Sequence, residues 1–165
     1  MQKKILLIIP AYNEEECILS TYDKINKYNQ ENSTNYDVIV INDCSTDDTL
    51  KICEENKIPV ISLVHNLGIG GAVQTGYKYA LENGYDIALQ YDGDGQHDVN
   101  YVTNIIQPII KDEADFVIGS RFVEDNISEF KSSFTRRIGI KLISFTIKLV
   151  TRKTIKDVTS GFRAV

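Results

Sequence analysis

Short apolar runs at residues 5–9, 37–42, 58–64, 86–91 and 115–119 alternate with longer mixed stretches at 14–29, 47–56, 70–83 and 99–111. The alternation is a βαβ rhythm. Strands separated by helix-length segments predict a mostly parallel central sheet with helices on both faces, an α/β/α three-layer sandwich of Rossmann-like type. In such a sheet the ligand crevice lies beyond the carboxyl ends of the strands.

The polar clusters fall at those ends. Ala11 to Glu14 follow the first run, Asn42 to Asp48 the second, and Asp92 to Asp98 the fourth. Topology alone therefore brings them together. Within the second cluster, Ser45 or Thr46 is expected to cap the helix that Asp47 and Asp48 open, because hydroxyl oxygens accept the free amide protons and carboxylates favour the positive helix end. Residues 120–132 read as a connection with little apolar surface. A helix over about 133–151 follows, with Arg137, Lys141, Ser144, Lys148 and Arg152 on one stripe and Phe134, Ile138, Leu142, Phe145 and Leu149 on another. Adding Ile140, Ile143, Ile147 and Val150 makes it apolar over more than half its circumference. The surplus calls for a further part of the chain, a second subunit or a bilayer surface as cover.

At 165 residues the chain suits one domain that buries roughly two thirds of its unfolded surface. Cys17, Cys44 and Cys53 are odd in number and lack ligand spacing, which argues for reduced thiols in a cytoplasmic protein. Lys3 and Lys4 precede an apolar run too short for a signal peptide, and no segment reaches the roughly 18 apolar residues of a membrane span. The net charge of −5 hides a polarity: residues 1–130 carry −13 and residues 131–165 carry +8. The basic segment suits a phosphate group or an anionic membrane surface, with a solvated helix face as the plainer reading.

Chemistry concentrates in Asp92-Gly93-Asp94-Gly95-Gln96-His97. Two carboxylates one residue apart repel each other unless a cation or several donors offset the cost, and hard oxygen ligands favour magnesium or manganese. A calcium loop is excluded, since the twelfth position from Asp92 is Thr103 where a bidentate Glu is required. A phosphatase or phosphotransferase with Asp92 as the phosphorylated group is an alternative reading, and a non-catalytic nucleotide-binding module is another. Tyr12 is suited to stacking on a base and Glu14 to accepting from its donors, although turn chemistry explains both. Asp43 suits a base or ribose, or simply begins a polar loop. Asn66 to Ala72 lack the Lys and Ser or Thr of a triphosphate loop, so the glycines are read as a tight turn with Gly76 on the packed side of the next helix.

Six motifs in order carry a resemblance over nearly the whole chain: I-P-A-Y-N-E from Ile9 to Glu14, V-I-N-D-C-S-T-D from Val40 to Asp47, Asn66 to Gly76, D-G-D-G-Q-H from Asp92 to His97, G-S-R-F from Gly119 to Phe122, and D-V-T-S-G-F-R from Asp157 to Arg163. Together they resemble the family 2 glycosyltransferases of the GT-A fold, in the branch that uses dolichyl and other polyprenyl phosphates. The resemblance implies an inverting, metal-dependent transferase that moves a sugar from a nucleotide-diphosphate sugar to a polyprenyl phosphate or a cell-surface glycan intermediate. Pro10, Ala11, Tyr12, Glu14 and Asp43 would hold base and ribose, with Asp92 near the ribose and the metal. Asp94 and Gln96 would ligate magnesium or manganese on the diphosphate. Arg121 would face phosphate oxygens, Arg136 or Arg137 would flank the acceptor, and Asp157 would lie beside it, acting as base for a hydroxyl acceptor. His97 would support the metal site, and His65 is read as structural. Residues 1–120 would form the donor and metal part and 121–165 the start of the acceptor part. Relatives of this type continue past S-G-F, so a truncated acceptor side is expected at Val165. No nucleic acid is expected as a partner; a cytoplasmic protein is expected, with the cytoplasmic face of a membrane, a second subunit and a further part of the chain as the alternatives for what helix 133–151 touches.

Overall fold

The computed structural model describes residues 3–93, 98–119 and 161–165. The chain divides into two units, one of residues 1–117 with 162–165 and one of residues 118–161; almost all described residues belong to the first.

Among the described residues six strands form one sheet: β1 (Ile5–Ala11), β2 (Tyr36–Asn42), β3 (Val60–Ser62), β4 (Ile87–Gln90), β5 (Val117–Ile118) and β6 (Arg163–Ala164). Their order is β3-β2-β1-β4-β6-β5. β1 lies parallel to β2, with Ile5 opposite Tyr36, and parallel to β4, with Ile5 opposite Ile87; β3 is parallel to β2. β6 runs antiparallel to β4, with Leu89 opposite Ala164. The mostly parallel sheet expected from the alternation is therefore present, and the antiparallel β6 is an addition. Two residues are too few to register as an apolar run.

Among the described residues four helices lie between the strands: α1 (Ile18–Asn32), α2 (Thr49–Glu55), α3 (Gly68–Glu82) and α4 (Val102–Ile110), the last entered through a 3-10 turn, Val99–Tyr101. The pleat of β1 separates two cores. Leu7 and Ile9 pack with Ile18 and Ile25 of α1, Cys53 of α2 and Ile105 and Ile106 of α4. Leu6 and Ile8 pack on the opposite face with Ile39, Ile41 and the α3 residues Ala72 and Ala80. Continuous apolar strands are what a sheet covered on both faces demands. Gly76 lets α3 approach: a Cβ there would overlap Ile8 Cγ2 and lie 3.0 Å from its Cγ1.

α1 starts at Ile18 rather than at 14. Asn13 is left-handed at φ 57°, and the amides of Cys17 and Ile18 both donate to Glu14 O, so residues 13–17 form a turn before the helix. Among the described residues no helix is long and apolar enough to cross a membrane. The helix expected at about 133–151 lies outside the described residues.

Candidate functional site

Connections from β1 lead toward β2 and β3, while the chain leaving β4 goes to the other side of the sheet. β1 and β4 thus flank the point where strand order reverses, the place where open α/β sheets bind ligands. Two sequence-predicted clusters meet there. Asp92 and Gly93 leave β4, and Pro10 to Glu14 leave β1. A Cβ on Gly93 would lie 3.2 Å from Ile9 Cγ2, 3.4 Å from Pro10 O and 3.8 Å from Glu14 Cγ, so the acidic turn rests directly on the β1 turn. A side chain at position 93 would push the two apart.

Several groups hold that turn. The buried Gln90 side chain donates to Asp92 Oδ1 at 3.0 Å. Tyr91 N donates to Ile8 O at 2.8 Å, and the Tyr91 ring meets Phe162 edge-on at 6.1 Å. From α1, the buried Thr21 hydroxyl donates to Gly93 O at 3.1 Å. Asp98 then starts the 3-10 turn by accepting from Asn100 N at 2.9 Å. Asp92 is consequently held on a fixed backbone.

Asp43, at the end of β2, is 3 % exposed; its Oδ1 accepts from Leu67 N at 2.7 Å, and its backbone carbonyl accepts from the Asn66 side chain at 3.1 Å. Asp43 N donates to Ala11 O at 2.8 Å, which ties the ends of β2 and β1. Asp43, expected either to meet a base or ribose or to begin a polar loop, braces the β3–α3 loop in the structure. Tyr12 is 49 % exposed at the same end of the sheet, where its ring is accessible to a stacking partner. His65, read as structural, is exposed.

The β1–α1 and β2–α2 loops interlock. Asn13 N donates to Ser45 Oγ at 3.0 Å while Thr46 N donates to Asn13 Oδ1 at 2.8 Å. Glu15 N donates to Asp47 Oδ2 at 3.1 Å while Asp48 N donates to Glu15 Oε2 at 2.9 Å. Glu14 N donates to Thr49 Oγ1 at 2.8 Å. This arrangement corrects the expected cap of α2. Ser45 and Thr46 are engaged with Asn13, and Asp47 Oδ1 instead accepts the Thr49 amide at 3.0 Å and the Thr49 hydroxyl. Partial burial works to raise the Asp47 pKa, but the Thr49 hydroxyl and the Thr49 and Glu15 amides outweigh it and hold the carboxyl below its ordinary range. Burial pushes the Cys53 thiol up to about 11, with the Glu54 charge adding to the effect. Cys53 is a free, buried thiol, in line with cysteines read as reduced.

The turn residues after β3 follow expectation. Gly68 is left-handed at φ 73°, its amide bonded to Asn66 Oδ1 at 3.0 Å. A Cβ on Gly71 would overlap Leu67 Cβ.

Asp94, Gln96, His97, Arg121, Arg136, Arg137 and Asp157 lie outside the described residues. Among the described residues no group of three or more His, Cys, Asp or Glu side chains converges as a metal site. Asp92 alone of the proposed metal and diphosphate ligands is placed, at the strand end where hard oxygen donors would gather. Sequence reasoning missed Gln90, Thr21, Asn13, Asp47, Thr49 and Phe162 as supports. Thr21, Asn13 and Phe162 reach partners far away in the sequence, Gly93, the Ser45–Thr46 turn and Tyr91, whereas Gln90 and Thr49 bond acids two residues away.

The family described as Glycosyl transferase family 2 matches residues 6–165. A UDP-N-acetylglucosamine–dolichyl-phosphate N-acetylglucosaminyltransferase of Methanococcus voltae is 38 % identical over 98 % of this chain and 69 % of its own length. An undecaprenyl-phosphate mannosyltransferase of Micrococcus luteus is 31 % identical over 98 % of this chain and 65 % of its own length. The crystal structure of Mycobacterium tuberculosis glucosyl-3-phosphoglycerate synthase with Mn2+, UDP-glucose and phosphoglyceric acid superposes at a TM-score of 0.71, with 20 % identity over 99 % of this chain and 56 % of that one. That likeness shows the fold. The chain thus spans about two thirds of the length of these curated relatives.

Proposed function

Because this chain belongs to glycosyl transferase family 2 and has its mixed, mostly parallel fold, we propose that it moves a sugar from a nucleotide-diphosphate sugar to a polyprenyl phosphate, with inversion and with magnesium or manganese bound. The observation that carries this reading is the seating of the Asp92–Gly93 turn on the Pro10–Glu14 turn at the β1/β4 reversal point. The names of the relatives support a lipid-phosphate acceptor, since both act on one. They also favour the transferase over the phosphatase reading of the acidic pair.

In this reading Pro10, Ala11, Tyr12, Glu14 and Asp43 hold the base and ribose. Asp92, Asp94 and Gln96 offer the hard oxygens that suit magnesium or manganese. When bound, the cation offsets the negative charge that builds on the diphosphate as the glycosidic bond breaks. Arg121 adds hydrogen bonds to the same oxygens, stronger in the transition state than in the substrate because the charge is larger there. Arg136 or Arg137 flanks the acceptor. A phosphate acceptor is already anionic, so Asp157 need not remove a proton; a hydroxyl acceptor would require it. Residues 1–120 serve donor and metal, and residues 121–165 begin the acceptor side, with helix 133–151 resting on the cytoplasmic membrane face.

Calorimetry with Asp94→Ala tests the donor site. Metal-dependent donor affinity is expected to vanish, and unchanged affinity in excess manganese would reject the assignment. Asp157→Asn tests the acceptor. It should retain most transfer to a polyprenyl phosphate, whereas loss comparable to that on a sugar hydroxyl would contradict the anionic-nucleophile route.

A further inference from the structure

We propose that Gln90 is a positioning residue: its buried amide sets the orientation of the Asp92 carboxylate and so governs how strongly cation and nucleotide are bound together. The inference deepens the donor reading and rests on it.

Gln90 ends β4 at a position made for an apolar side chain. It is 3 % exposed, and Ile87, Ala88 and Leu89 before it are apolar and buried. Alternation along the strand puts Gln90 on the face of Ala88, and the sheet register sets it opposite Ile8 of β1 on one side and Arg163 of β6 on the other. Ile8 and Ala88 belong to the apolar cluster that Ala72 and Ala80 of α3 cover. Burying an amide there costs free energy that an unbranched apolar side chain of the same length would not.

The amide is directed at Asp92. Its Nε2 donates to Asp92 Oδ1 at 3.0 Å, and because a carboxylate only accepts, the nitrogen must be the end that faces it. The backbone just beyond is fixed separately, by the Thr21 hydroxyl on Gly93 O. Rotation of the Asp92 side chain is what Gln90 restrains. A half-buried carboxylate keeps access to water and gains little stability from this bond. A cation ligand, by contrast, depends on orientation, and losing the outer partner of such a ligand typically lowers metal affinity about 10- to 100-fold. A polar group that is costly to bury and orients an acid at a strand end marks stability given up for binding.

Gln90→Met keeps the length of the side chain and nearly its volume while removing the amide. Thermal unfolding without ligands should give a midpoint equal to or above that of the parent, which shows that the variant folds. The manganese concentration that half-saturates binding of UDP or GDP, followed by calorimetry, should rise about tenfold or more. A manganese requirement equal to the parent's would overturn the proposal. So would a lowered midpoint, which would make Gln90 a prop of the fold. Failure of the donor reading looks different: the parent itself would then show no manganese-dependent binding of either nucleotide, and the proposal would fall with it.

Discussion

Asp47 joins three amide and hydroxyl donors from two loops, and its carboxyl is held below the ordinary range. The folded pKa is depressed, so its contribution to stability is complete above the unfolded value, about 3.9, and is lost as pH falls through the lower folded value. Asp47→Ala is expected to cost about 1 kcal/mol at neutral pH, in the range of a lost helix cap. Urea midpoints measured at pH 6 and again below pH 3 should show the gap between the two proteins narrowing in acid. A gap independent of pH would assign the loss to packing. The sequence placed Asp47 at a helix start but did not reveal that it, and not Ser45 or Thr46, takes the Thr49 amide. That choice depends on Asn13 engaging Ser45 and Thr46, a juxtaposition created only when β1 pairs with β2.

At the level of elements, the contact of α3 with β1 depends on Gly76. Gly76→Ala should destabilise by about 1–3 kcal/mol, because the added methyl overlaps a fully buried Ile8 that has no room to withdraw. Thermal unfolding measures this, and a midpoint equal to that of the parent would mean that the helix slides freely. Apolar runs such as Ile5 to Ile9 made β1 to β5 legible, since strands covered on both faces announce themselves by continuous hydrophobicity. The start of α1 and the existence of β6 were not legible. The first is set by the left-handed Asn13 within an inter-loop clasp, and the second by main-chain pairing of Arg163 and Ala164 with β4. At the site, the acidic turn and the β1 turn could be anticipated from strand ends, whereas Thr21 is recognised only once α1 lies against the Asp92–Gly93 turn.

For the molecule as a whole, donor binding should appear as stability. A nucleotide diphosphate that matches the site, added with manganese at a hundred times its dissociation constant, is expected to add about 2.7 kcal/mol and to raise the melting temperature by roughly 5–10 °C. A panel of nucleotides and their sugar conjugates, with and without manganese, identifies the base by the largest shift; no shift with any member would remove the donor reading. The placement of β1 between β2 and β4 has one more consequence, for synthesis on the ribosome. Ile5 is translated 82 residues before its sheet neighbour Ile87. At about 5–20 residues per second, that is a delay of roughly 4–16 s. For that interval the nascent chain carries a naked, water-averse ribbon with one edge unclaimed, and it is then that a holdase would find its client.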